Sequence, residues 1–76
     1  MTFVDAPLGE AVAEVNRYLS RPVVLGEGVD AGVAVNGVFR VGDREAFVAA
    51  ASGALGLHAV NRPDGVVRLE GGGRGG

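Results

Sequence analysis

The chain has 76 residues, a net charge of −2 and no cysteine, and its seven basic residues are all arginine. No disulfide can staple it, and arginines scattered along a slightly acidic chain do not make the basic stripe of a nucleic-acid binder. No apolar run approaches the roughly 18 residues of a membrane span, no charged start plus apolar core reads as a signal peptide, and neither expected helix has the basic polar face of a membrane-surface binder.

A domain of this size buries only about 60% of the surface its unfolded chain exposes, so it must draw its stability from a small core. Val, Ala and Leu dominate the sequence and supply one. Phe3-Val4-Asp5 reads as a first short strand, and Met1, two residues earlier, reads as a start placed on an excised domain. Pro7 suits the first turn of a helix, where its missing N–H would be unpaired anyway. Leu8, Ala11, Val12, Val15 and Leu19 then recur at helical spacing, and Ser20-Arg21-Pro22 stops the helix. Val23-Val24-Leu25 is a three-residue strand, and the polar, glycine-rich "GEGVDAG" after it is a loop.

Val33 to Val41 is expected as a third strand, with Val33, Val35, Phe39 and Val41 on one face and Ala34, Asn36, Val38 and Arg40 on the other. Gly37 in its middle marks a bulge or a close backbone approach. Asp43 is placed to cap a second helix whose apolar stripe is Phe47, Ala50, Ala51, Ala54 and Leu55, with Gly56 as its left-handed stop. Two strands remain, Leu57 to Asn61 and Val66 to Glu70, joined through the turn sequence Arg62-Pro63-Asp64-Gly65. The order is β-α-β-β-α-β-β: an α+β domain over residues 3–70, written as two βαβ-type units with their helices packed on small sheets. A flexible glycine-rich tail is expected at 71–76.

Chemistry is hard to find. His58 is the sole histidine, and Ser20 and Ser52 lack the sequence context of an activated nucleophile. Glu10 and Glu14 are one helical turn apart and read as a solvated face. "GEGVDAG" lacks the spacing of a phosphate-binding loop. The expectation is therefore a non-catalytic domain with no cofactor and no metal, whose assets are helix faces and sheet edges.

Several segments together carry a resemblance. Phe3, the helix start at Pro7-Leu8, the triplet Asn16-Arg17-Tyr18, Pro22-Val23-Val24-Leu25, Gly37-Val38-Phe39, the helix start at Asp43 with Phe47, and the closing hairpin resemble the C-terminal periplasmic domain of FecR-type anti-sigma regulators. The resemblance runs over residues 3 to 69. That domain is similar to the STN module of secretins and TonB-dependent receptors, with its two βαβ units. The resemblance implies cell-surface signalling: a TonB-dependent outer-membrane transducer, loaded with a ferric siderophore or similar ligand, contacts the regulator in the periplasm. The regulator, anchored in the inner membrane, passes the signal to an extracytoplasmic-function sigma factor through a cytoplasmic part that this chain lacks. The alternative is an STN module of a TonB-dependent receptor or a secretin assembly. Candidate interaction residues are Arg17 and Tyr18 at the end of the first helix and Val38 and Arg40 on the outward face of the third strand, types that occur at binding hot spots. Exposed strand edges also leave room for an edge-to-edge dimer.

Overall fold

The computed structural model describes residues 1–71; most of the expected 71–76 tail lies outside the described residues. Strand β1 (Thr2–Pro7) runs without a loop into helix α1 (Leu8–Asn16), followed by β2 (Val23–Leu25), β3 (Ala34–Val38), α2 (Arg44–Leu55), β4 (His58–Asn61) and β5 (Val67–Glu70). The α+β class holds, with two helices and two small sheets. In the first sheet β1 and β3 are antiparallel; in the second, β5 is central, parallel to β2 and antiparallel to β4.

The two βαβ stretches interleave. Helix α1 leads from β1 in the first sheet to β2 in the second, and α2 leads from β3 in the first to β4 in the second. Neither helix therefore connects two strands of one sheet. Such a crossover has to carry the helix back over its own sheet, whereas Leu8 follows Pro7 with no intervening residue. The loop at 26–33 brings the chain back antiparallel instead, and Leu8 N–H donates to Val33 O at 2.8 Å while Gly9 N–H donates to Ala31 O at 2.9 Å. These carbonyls fill the first donors of α1, which a side-chain cap would otherwise have to satisfy.

The core collects the inner faces of both sheets and both helices. Leu8, Val23, Phe47 and Leu69 are fully buried, and burying a side chain of this kind is worth about 1.5–3 kcal/mol. Phe3, Phe39 and Phe47 form a cluster with ring centroids 5.4 to 6.1 Å apart, two of the three pairs meeting edge to face. It joins β1, the segment after β3, and α2.

Several element bounds and one helix face differ from expectation: β1 runs through Pro7, which was expected in the first turn of α1, and the larger differences have local reasons. Helix α1 ends at Asn16, not near Ser20; Arg17, Tyr18 and Leu19 continue it only as a tightened turn with i to i+3 bonds. Strand β3 stops at Val38 rather than Val41, because Asp43 N–H bonds Arg40 O and the chain turns there; Val41 is left exposed. In α2 the expected stripe is half right. Phe47 and Ala51 are buried and Leu55 is half-buried, but Ala50 and Ala54 are exposed and Val48 packs inward instead.

The ends of α2 follow the sequence closely. Asp43 accepts from Ala46 N–H at 3.1 Å, and Gly56 is left-handed at φ 68°. In the hairpin, Gly65 N–H bonds Arg62 O and Arg62 N–H bonds Val66 O, with Pro63 and Asp64 at the turn's centre and Gly65 at φ 88°. Gly37 marks a close approach, as expected: a Cβ there would lie 3.1 Å from the Phe39 ring. The bulge itself falls on the partner strand, at Val4 and Asp5 between the pairs Phe3–Gly37 and Ala6–Val35. Asp5 sits at φ 49°, a conformation Asp tolerates better than most residues, and its N–H is held by Asn36 Oδ1 at 2.9 Å.

Candidate protein-interaction surface

The four residues singled out from sequence are all exposed, and they form two separate pairs. Arg17 and Tyr18 occupy the turn after α1. Arg17 reaches back to Glu14 at 3.3 Å, a surface ion pair of the i, i+3 type worth about 0.2–0.5 kcal/mol. Tyr18 is 49% exposed. Val38 and Arg40 lie at and just past the end of β3. No hydrogen bond or ion pair joins one pair to the other among the described residues.

Val38 belongs to a larger apolar patch. It is 78% exposed and pairs with Thr2, and by alternation it shares the outward face of the β1–β3 sheet with Val4, which is 75% exposed. Phe3 and Val35 use the opposite face and are buried. Among the described residues no layer covers this sheet face, which leaves two large apolar side chains exposed, and Val41 adds a third nearby in sequence. Large exposed apolar groups gathered on one face are typical of a surface that meets another protein.

The residues between these surfaces are structural. Asn16 accepts from Val23 N–H through Oδ1 and donates to Val23 O through Nδ2, both at 2.8 Å. Its amide behaves as one more strand residue along the outer edge of β2 and ties the end of α1 to the second sheet. Arg44 Nη1 donates to Gly65 O at 2.7 Å and Arg21 O at 3.0 Å, tying the start of α2 to the hairpin and to the segment before β2. Sequence reading assigned neither role. For Asn16 a signal existed, since a half-buried polar residue four positions after Val12 must find a partner. For Arg44 there was none, because its two acceptors are carbonyls distant in sequence.

The possible chemical groups stay apart. His58 is exposed on β4 opposite Glu70, and Glu10 is exposed without an ion-pair partner among the described residues. Ser52 is half-buried in α2, and its Oγ has no hydrogen-bond partner among the described residues. Arg68 Nε lies 3.1 Å from Glu70 Oε2, near enough for an ion pair but not aligned as a hydrogen bond. Among the described residues no three His, Asp or Glu side chains gather as metal ligands. No described helix is long and apolar enough to cross a membrane.

Compared with known proteins, the chain matches no protein-family model and no curated sequence.

Proposed function

We propose that this chain is a non-catalytic protein-interaction domain, the periplasmic receiving domain of a FecR-type anti-sigma regulator. In this reading it is contacted by the signalling domain of a TonB-dependent outer-membrane transducer and helps control an extracytoplasmic-function sigma factor. The observation that carries the interaction role is the uncovered outer face of the β1–β3 sheet, where Val4 and Val38 stand in solvent with Arg40 beside them. Apolar side chains next to an arginine are the composition of an interface centre. The regulator assignment rests on the residues of the resemblance, several of which hold the domain in shape. Asn16 latches β2, Asp43 caps α2, and Phe3, Phe39 and Phe47 meet in the core.

The test is calorimetric titration of the parent regulator's periplasmic region with the signalling domain of its TonB-dependent receptor. Saturable one-to-one binding, weakened by Val38→Asp, is expected. No binding with the upstream periplasmic region present overturns the regulator reading. A parent chain that continues after this domain into an outer-membrane barrel favours the receptor module instead.

A further inference from the structure

Among the described residues the two sheets leave four outer edges, and two of them are blunted. The free edge of β1 is broken by the bulge at Val4 and Asp5 and ends on Pro7, which has no N–H to offer. The free edge of β2 is occupied at Val23 by the Asn16 amide. The edge of β4 is unpaired among the described residues, but the cavity that Ala59 and Asn61 line also reaches Val67 of the central strand and so lies over the sheet face. The edge of β3 is different.

Val33 O accepts from Leu8 and Phe39 N–H donates to Met1 O, so the odd-numbered residues of β3 face β1. The N–H and C=O groups of Ala34, Asn36 and Val38 therefore point the other way, in the alternating pattern that an added antiparallel strand would pair with. Beside them runs a groove of about 270 Å³ between β3 and α2, lined by Val35, Phe39, Phe47, Ala50, Ala54 and Leu55. Ala50 and Ala54 are the two stripe positions left exposed, and their small side chains keep the groove open.

The ends of this edge carry opposite charge. Arg40 stands at one end, exposed and without an ion-pair partner among the described residues. At the other, the Asp30 carboxylate is held by Gly32 N–H at 2.9 Å and lies on the side where a Gly32 Cβ would project.

We infer that the β3–α2 groove is a strand-addition site, and that its occupant is an extended segment of a partner protein running antiparallel to β3. The segment is apolar at alternate positions, which turn inward over Ala50 and Ala54. It is acidic where it passes Arg40 and basic where it passes Asp30. An extended chain paired antiparallel on this edge has its first residue beside Arg40 and its last near Gly32 and Asp30, so it is acidic first and basic last. This inference does not depend on the regulator reading, and its test uses no receptor.

The probe is a blocked peptide of about nine residues, long enough at roughly 3.4 Å per residue to run from Arg40 to Gly32. It has glutamate first, lysine last, and alternating valine and threonine between, with the valines at the even positions. The control carries the two charges exchanged. Amide hydrogen exchange by NMR is the readout. The matched peptide is expected to slow the amides of Ala34, Asn36 and Val38 and to leave those of Val35 and Gly37, already turned to β1, unchanged. Val38→Pro removes one outward donor at an exposed edge position and should abolish the effect. Arg40→Glu leaves the backbone intact. It should weaken the matched peptide about threefold to tenfold and strengthen the exchanged one. Equal binding of both peptides, protection on β4 instead of β3, or no protection at all overturns the inference. Protection of the same amides without peptide, rising with protein concentration, assigns the edge to a second copy and overturns the occupant named here.

Discussion

Replacing Asn16 by alanine removes both bonds that hold Val23 and leaves its N–H and C=O, which are partly buried, without protein partners. A net hydrogen bond contributes about 1 kcal/mol, and an orphaned buried group costs about 1–3 kcal/mol. Partial exposure lets water repair some of the loss, and alanine returns up to about 0.7 kcal/mol of helix propensity. The expected net cost is about 2 kcal/mol. For a chain of this length, total stability at roughly 0.05–0.15 kcal/mol per residue is about 4–11 kcal/mol, so the loss is a large fraction. The matching fall in Tm is about 8–16 °C. Urea unfolding followed by circular dichroism gives the free energy, and an unchanged m-value shows that the denatured state is not the cause. Asn16→Asp, which keeps the acceptor for Val23 N–H but sets a carboxylate against Val23 O, should be at least as destabilising. A Tm for Asn16→Ala within about 3 °C of the parent's would refute the latch, since neither bond would then hold α1 to β2.

Other expectations follow from the packing and the helix ends. Leu69→Ala empties a fully buried site on the central strand and should cost about 2–5 kcal/mol, read as a lower urea midpoint by circular dichroism. Asp43→Ala deletes the cap that accepts from Ala46 N–H and should lower stability by about 1 kcal/mol in the same denaturant assay. Gly56→Ala forces a side chain into the left-handed region, at a cost of about 1–2 kcal/mol. Val4→Thr, on the uncovered sheet face, should change stability by less than about 0.5 kcal/mol.

Element order and the inner faces were legible because they rest on local patterns. Leu8, Ala11, Val12 and Val15 are buried as their spacing requires, and Asp43 and Gly56 bound α2 as their chemistry requires. Errors arose where a contact made beyond the element's own pattern ended it early. Asn16 turns its amide to Val23 and α1 stops there; Asp43 N–H bonds Arg40 O, and the turn it closes ends β3 before Val41. The interleaving of the sheets had no local signal, because strand pairing depends on which segments the loops bring together. Arg17, Tyr18, Val38 and Arg40 are exposed as read from the sequence, but their separation into two pairs is a property of the fold. The groove along β3 was hidden for a related reason. Ala50 and Ala54 read as core by spacing, and only the position of α2 beside a strand edge leaves them open.

The most direct measurement is NMR shift mapping of the labelled domain during addition of the receptor's signalling domain. Saturable shifts gathered around Val4, Val38 and Arg40 are expected, with the amide of buried Leu69 unmoved. Shifts confined to other surfaces, or a spectrum unchanged at millimolar partner, would contradict the interaction role.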